Sequence, residues 1–289
     1  MSVSDIQVQG VGDATGKSYA IVFLSNIIRD AANPKGDQVE LYIAPLETDT
    51  IINITTPSYD GVDKPDLQLE GTVNAVLQVP LLSNIRVTPK DSRVIGRSTI
   101  TSKVIKVEAN KNIVVYGINK KKYSTDGFLA LPLNVLGSEY FAFCNSPVNP
   151  DDDRCQFAAA AIADDTVIVI DVPEGVSLDP INDEEQIKGP TTFGVSLDSD
   201  QAVEIQSIFD LTGVRVYTKN GQPFAFFSGN TRTKLPTSRG SRDHLAEQLP
   251  PTNAWASSYF SMPTPRKDLA ECVWLTKPNN KAAGGVVGC

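Results

Sequence analysis

The chain has 289 residues, of which 41% are hydrophobic and 21% are charged, which is enough apolar material for one large globular core or two ordinary ones. Its formal net charge is -8, and the densest basic run is the three lysines at 120–122. This argues against a nucleic-acid partner, because phosphate neutralisation needs clustered Lys and Arg. No apolar run reaches the roughly 18 residues of a membrane helix, so no membrane span is predicted.

Residues 1–17 are polar and Gly-rich, and we predict a loose lead-in there. They have neither the basic start nor the apolar stretch of a signal peptide. Either the protein is cytosolic, or this sequence begins inside a longer secreted chain. VGDATGKS at 11–18 approaches a phosphate-binding loop, but Val11 stands where the first glycine is needed and a strand-like run follows. We therefore predict no nucleotide site and, apart from the calcium considered below, no cofactor.

From residue 18 onward, short runs rich in Val, Ile, Thr and Tyr alternate with turn signals. Helical periodicity is absent, apart from a short turn near 134–136. The clearest strand-like runs are YAIVFLS, VELYIAP, TIINIT, NIVVYGIN, TVIVIDV, QAVEIQSIF and FAFFSGN. Many short strands at regular spacing predict an all-β protein, an antiparallel sandwich or barrel.

The later part of the chain repeats the earlier part. The segment VIKVEANKNIVVYGIN at 104–119 returns about 111 residues later as GVRVYTKNGQPFAFFSGN at 213–230. In each copy a polar turn, 110–112 or 220–222, lies between two apolar runs, which predicts a hairpin. Three equivalent strands contain Tyr19, Tyr140 and Tyr259.

This repeat predicts tandem antiparallel β-sandwich-like units, two complete and the start of a third. We place the lead-in at 1–17, the first β unit at 18–136, the second at 137–256, and a partial third unit or tail at 257–289. A few strands cannot bury a sheet face alone. The last segment should therefore join the second unit, pair with another chain, or belong to a further domain of a longer chain, which we favour.

The four cysteines are Cys144, Cys155, Cys272 and Cys289. Cys144 and Cys155 close a short loop between two strands of the second unit, where a disulfide suits an extracellular protein. The alternative is two separate buried thiols. The pairing of Cys272 and Cys289 stays open.

Two further sites follow from short patterns. Asp151, Asp152 and Asp153 form an acidic turn that could supply oxygen ligands to calcium, although the spacing is not that of a calcium loop. A solvated acidic turn is the other interpretation. Asn53-Ile54-Thr55 is a glycosylation sequon on the polar phase of its strand, which predicts a glycan on Asn53 if the chain is secreted.

Catalytic groups are scarce. The lone His244 directly follows Asp243, and adjacent side chains do not easily give the geometry of a catalytic triad. A carbohydrate-active enzyme is one alternative, with an acidic pair drawn from 151–153 and 164–165. A purely structural spacer is another. We predict that the chain is not an enzyme.

Five aromatic residues could form a ligand platform or belong to the core. They are Tyr116, Phe128, Tyr140, Phe141 and Trp255. The repetition of Tyr19 at Tyr140 favours the core. Gly117 and Gly229 are predicted to mark bulges or close approaches of the backbone.

The segments 115–141 and 210–230, followed by DHLAEQLPP at 243–251 and Trp255, resemble the N-terminal domain of the IgG Fc-binding protein family. The resemblance covers nearly the whole chain, and the string from Asp126 to Phe141 is its most specific part. Family members commonly have a cysteine after the SGN strand and another before DHL. Thr231 or Thr233 and Arg242 stand at those places, which is consistent with the loss of one disulfide.

The resemblance implies an extracellular, mucus-associated or adhesive protein without enzymatic activity. It implies a binding module that contacts a protein or a glycan and belongs to a longer secreted chain. Nothing in these residues identifies an antibody Fc site.

Overall fold

The computed structural model describes residues 14–26, 38–56, 68–81, 98–121, 123–149, 153–181, 185–234, 240–256, 274–276 and 284–286. Regular structure in these residues consists of strands and two short 3₁₀ turns, Leu133–Val135 and Thr252–Ala254. The antiparallel, all-β prediction is confirmed. None of the described segments forms a helix long and apolar enough to cross a bilayer.

The described strands are numbered in chain order: β1 Gly16–Ile21, β2 Gln38–Pro45, β3 Thr50–Thr55, β4 Gln68–Val73, β5 Leu77–Leu81, β6 Thr99–Thr101, β7 Ile105–Lys121, β8 Ser124–Leu129, β9 Glu139–Phe141, β10 Cys155–Ala161, β11 Thr166–Val172, β12 Ser177–Leu178, β13 Ile187–Lys188, β14 Thr191–Leu197, β15 Ala202–Ser207, β16 Arg215–Thr218, β17 Phe224–Thr233, β18 Asp243–Gln248, β19 Trp274–Thr276 and β20 Gly284–Val286. Strands β12 and β13 form one two-stranded sheet, and β19 and β20 form another.

The 17-residue strand β7 is the centre of the first half. Its N-terminal half pairs with β1 and β3, and its C-terminal half pairs with β2 and β8. β4 then pairs with β3, and β5 pairs with β2. The strand order is therefore β4-β3-β7-β1 at one end of β7 and β5-β2-β7-β8 at the other.

The second half has the same pairing order, with β16 and β17 together in the place of β7. Strands β14-β11-β16-β9 form what we call the outer sheet. Strands β15-β10-β17-β18 form what we call the inner sheet, and β6 from the first half adds to its β15 edge. The repeat seen in the sequence is thus a repeat of strand pairing.

The inner sheet is buried on both faces. Alternate residues of a strand point to opposite sides of the sheet, and on β10 both sets are buried. On β10, Phe157 and Ala159 pack into a cluster shared with the outer sheet. Ala158 and Ala160 pack into the cluster of the first half, where Phe227 joins them. The unit limits 18–136 and 137–256 remain a prediction, but the two halves meet through this buried sheet.

The hairpin predicted at residues 110–112 is wrong, since β7 runs through them without turning. Their polar groups bond to strand ends instead. Asn110 Oδ1 accepts the N–H of Ile51 at 2.8 Å, and Lys111 Nζ donates to the carbonyl of Thr48 at 2.6 Å. The turn at Asn220-Gly221 exists, and Gly221 has φ +73°, but β16 and β17 beside it belong to different sheets.

Tyr19 and Tyr140 are equivalent core residues, as the repeat predicted. Both are fully buried. The hydroxyl of Tyr19 donates to the carbonyl of Ile113, and that of Tyr140 donates to the carbonyl of Phe224. Each tyrosine thereby ties the first strand of its half to the central strand. Tyr259 lies outside the described residues.

Candidate binding surface

The outward face of the outer sheet carries a row of polar and aromatic side chains, which we call the Arg215 face. Cross-strand pairing places Phe141, Arg215, Asp171 and Thr192 side by side. A second row on the same face contains Glu139, Tyr217, Val169 and Gly194. Four strands thus contribute to one continuous surface.

Arg215 is held in one position by two carboxylates. Its Nε donates to Glu139 Oε1 at 2.6 Å, and its Nη1 donates to Asp171 Oδ2 at 3.4 Å. Both carboxylates have a second donor, from the Thr252 hydroxyl at 2.9 Å and the Thr192 hydroxyl at 2.8 Å. The result is a hydrogen-bonded chain across the sheet.

The Arg215 guanidinium also lies 4.1 Å from the centroid of the Tyr217 ring, within the range of a cation–π contact. Partial burial lowers the pKa of Arg215, but the hydrogen bond to Glu139 and the nearby carboxylate charges outweigh this and raise it. The side chain of Arg215 is 42% exposed to solvent. It is therefore charged, ordered and accessible.

Aromatic rings border one edge of the face. Phe141 and Trp255 contact each other with ring centroids 5.9 Å apart, and the Trp255 Nε1–H donates to the carbonyl of Pro250. On the interior strand β11 of the same face, Val167 is 43% exposed. Arg, Tyr and Trp are the residue types most enriched at the centres of protein interfaces.

The five candidate aromatic residues lie in different structural environments. Phe128 and Tyr140 are buried core residues. Phe141 and Trp255 lie on the Arg215 face, whereas Tyr116, 46% exposed, lies on the first half of the chain. The five therefore do not form one platform.

Cys144 and Cys155 form a disulfide, with 5.6 Å between their Cα atoms. The bond joins the segment after β9 to the first residue of β10, and both cysteines are buried. Asp210 lies beside the two sulfur atoms. Because the sulfurs are bonded to each other, they are not available as metal ligands. Cys272 and Cys289 lie outside the described residues.

Asp153 is buried and already has partners, while Asp151 and Asp152 lie outside the described residues. Its Oδ1 is 3.2 Å from Arg242 Nη1, and its Oδ2 accepts the N–H of Asn149 at 2.9 Å. Asp153 and Arg242 therefore form an ion pair, in which the carboxylate is fully buried. Calcium binding stays a prediction.

A carbohydrate-active enzyme would need two carboxylates close together. Among the candidate residues that the structure describes, Asp153 does not lie close to Asp164 or Asp165. Asp153 precedes β10, whereas Asp164 and Asp165 lie in the exposed turn after it. A seven-residue strand separates them by about 20 Å, well beyond the separation of two catalytic carboxyls. The N–H of Ser199 donates to Asp164 and is the main cause of the lowered pKa of this carboxyl.

His244 is buried at the contact between the two halves. Its Nε2 lies 3.1 Å from the amide nitrogen of Asn119, and its backbone N–H donates to the hydroxyl of Ser124. An Asp243 oxygen accepts backbone N–H groups of Thr125 and His244 rather than the imidazole. This arrangement joins β18 to β8 and does not have the form of a triad.

Asn53 lies on the outward phase of β3, between β4 and β7, and is half-buried. The sequon is therefore at the surface of the first half. Its glycosylation stays a prediction.

The family model described as IgGFc binding protein matches residues 126–276, more than half of the chain. The chain belongs to the IgGFc-binding protein family. The matched region includes every residue of the Arg215 face named above.

The human IgGFc-binding protein is 27% identical to the chain over 181 residues. That alignment covers 60% of the chain but 3% of the human protein, so the chain spans a small part of this relative's length. No solved structure matches the chain.

Sequence reasoning missed the centre of the Arg215 face. Glu139, Asp171 and Arg215 are isolated charges in three strands, separated by 32 and 44 residues in the sequence. Each of the three stands on the phase of its strand opposite to the core residues, but on β11 this phase also contains Val167 and Val169, so the sequence pattern does not mark it as a polar surface. Only the strand order brings these phases together.

Proposed function

We propose that this chain is a non-enzymatic, extracellular binding module that holds a partner protein on the Arg215 face. The observation that carries this proposal is the immobilised Arg215, held between Glu139 and Asp171 and beside the Tyr217 ring. An ordered side chain loses little conformational entropy when a partner binds. Arg, Tyr and Trp at one surface have the composition of an interface centre.

Family membership supports the same function. The family is named for binding, and the human relative's name specifies the Fc part of IgG. This makes an IgG Fc fragment the first partner to test. A Cys144–Cys155 disulfide supports an extracellular location, because such bonds persist in oxidising compartments.

A glycan is the second candidate ligand. Trp255 and Tyr217 lie close to a row of carboxylate and hydroxyl groups, and sugars are bound by ring stacking together with hydrogen bonds. The outward face of a four-stranded sheet favours a protein, since a protein covers a broad surface without needing a cleft.

The test is surface plasmon resonance with the immobilised chain and two probes, human IgG Fc fragment and mucin-type glycopeptides. Arg215→Ala and Tyr217→Ala should each raise the Kd for the Fc fragment by about tenfold or more. Lys106→Ala is the matched control, because Lys106 has the position of Arg215 in the first half. The control should bind like the wild type.

If the chain binds glycopeptides through Arg215 but does not bind the Fc fragment, the ligand of the Arg215 face is a glycan rather than a protein. Binding to neither probe, or binding that ignores both substitutions, would overturn the proposal.

A further inference from the structure

Strand β14, Thr191–Leu197, is an edge of the outer sheet. It pairs with β11 along its whole length without a bulge, and among the described residues no strand pairs with its other side. In an antiparallel strand, alternate residues direct their backbone N–H and C=O groups to opposite neighbours. β14 therefore presents a row of backbone donors and acceptors that another extended strand can complete.

The edge of β14 lacks the features that commonly block such pairing, which are a charged residue, a proline or a bulge. Other edge strands of the described sheets have them, since β1 contains Lys17, β4 contains Glu70 and β5 contains Pro80. The sequence of β14 is TTFGVSL, without charge or proline. In contrast to these other edges, it is open to a further strand.

β14 is also complementary to a second copy of itself. Antiparallel pairing of two β14 strands about a two-fold axis at Gly194 places Phe193 of each copy opposite Val195 of the other. It also places Thr192 opposite Ser196. An aromatic residue opposite a β-branched one and two opposed hydroxyls are favourable cross-strand pairs. Phe193 is half-buried in one copy, so this pairing buries more of its ring.

The charges beside the two ends of β14 are opposite in sign. Lys188 lies before the strand, Asp198 and Asp200 lie in the turn after it, and all three are exposed. Antiparallel pairing brings the start of one β14 beside the end of the other, so each Lys188 lies near the two aspartates of the second copy. Parallel pairing would instead oppose like charges at both ends.

We propose that the edge of β14 is an interface at which a second copy of this chain pairs antiparallel with the first. The two four-stranded outer sheets then form one continuous sheet of eight strands. A two-fold axis perpendicular to the sheet keeps both outward faces on the same side. Both Arg215 faces therefore stay exposed. Dimerisation uses the backbone edge and ligand binding uses the side chains of the face, so each proposal can fail without the other.

The first test is sedimentation velocity of the full chain from about 1 to about 100 μM, where mass action reveals a reversible dimer. The mass should reach that of two chains at the upper concentration. A monomer at every concentration would overturn the proposal.

Hydrogen exchange locates the interface. At about 100 μM the backbone amides of residues 191–197 should exchange at least about threefold more slowly than at about 1 μM, because those that point away from β11 gain a hydrogen-bond partner. The amides of β4, an edge strand of the first half, should exchange equally at both concentrations. A dimer that protects another segment and leaves β14 unchanged would overturn the proposal.

Charge reversal tests the antiparallel direction. Lys188→Glu should weaken association about fivefold, because it opposes like charges at both ends of the interface. Adding Asp198→Lys and Asp200→Lys to this variant should restore association. Lys219→Glu is the matched control, since Lys219 is exposed in the turn after β16, away from β14. If Lys188→Glu has no effect, or if the triple variant does not recover, the antiparallel pairing is wrong.

Discussion

Glu204 accepts two hydrogen bonds from Ser25, a residue 179 positions earlier in the chain. The carboxylate is fully buried, and its second oxygen also accepts the side-chain N–H of Gln206 at 3.1 Å. A titratable group therefore lies inside the contact between the two halves. Its protonation should determine how firmly they hold together.

The stability of the protein should depend on pH through Glu204. Burial raises its pKa from 4.5 to about 7, against the hydrogen bonds from Ser25 and Gln206 and the charge of Lys103. The folded state thus binds the proton more tightly than the unfolded chain does. The free energy of unfolding should be greatest below pH 4.5 and should fall as the pH rises to about 7. The full change is about 3 kcal/mol.

Urea denaturation at pH 5 and pH 8 measures this effect. Glu204→Gln should remove the part of the difference that Glu204 contributes, while Glu247, whose pKa burial also raises to about 7, contributes the remainder in the same pH range. Glu108→Gln, at an exposed glutamate on β7, should retain the whole difference. If the wild type and Glu204→Gln lose stability in parallel, Glu204 is not the responsible group.

Gly229 should not tolerate a side chain. A Cβ atom there would lie 2.0 Å from the carbonyl oxygen of Leu245 on β18, so the backbone would have to move. We expect Gly229→Ala to lower the free energy of unfolding by at least about 3 kcal/mol, the upper range for overpacking. Gly71→Ala is the control, because no atom lies within 4 Å of its added Cβ. Equal thermal midpoints for both variants would contradict the close approach.

Removal of the Cys144–Cys155 disulfide should destabilise the second half. The bond closes a loop with a sequence separation of 11, and the loss of its constraint on the unfolded chain costs about 3 kcal/mol. The measurement is the denaturation midpoint of the Cys144→Ala/Cys155→Ala variant. Reductant should lower the midpoint of the wild type by more than that of the variant, which keeps only Cys272 and Cys289. Equal effects of reductant on both proteins would contradict a stabilising Cys144–Cys155 bond.

Asn53 should carry a glycan when the chain is expressed through a secretory pathway. Its side chain is on the outward phase of β3 and within a complete sequon. Intact mass before and after glycosidase should differ for the wild type and agree for Thr55→Ala, which keeps Asn53 but removes the sequon. A wild-type mass unchanged by glycosidase would refute this prediction.

Local patterns predicted much of the core. Alternating apolar residues placed the strands around Tyr19 and Tyr140, and both tyrosines are buried with the same hydrogen bond. The predicted close approach of the backbone is confirmed at Gly229, against the Leu245 carbonyl, whereas Gly117 makes room for the side-chain ring of Phe128. These features depend on residues close in sequence or on the repeat.

The incorrect prediction of a hairpin at residues 110–112 shows the limit of prediction from local sequence patterns. Polar residues between two apolar runs indicate a turn only if the runs pair with each other. Here each run pairs with strands from earlier in the chain, and Asn110 bonds to Ile51 instead of closing a turn. Which strands pair with each other depends on contacts between residues far apart in the sequence, and local β-propensity carries no information about these contacts.

The amino-acid sequence alone determined the all-β class and the repeat, because periodicity and repetition can be read from the order of the residues. The family was identified from the sequence by resemblance. The tertiary structure decided which faces are covered. Glu204 and Gln78 occupy equivalent strand positions, yet one is buried under Ser25 and the other is exposed. Likewise, Arg215 meets Glu139 and Asp171 only because β9, β16 and β11 are adjacent. Burial and charge pairing depend on the packing of distant segments, so they become visible only in the folded chain.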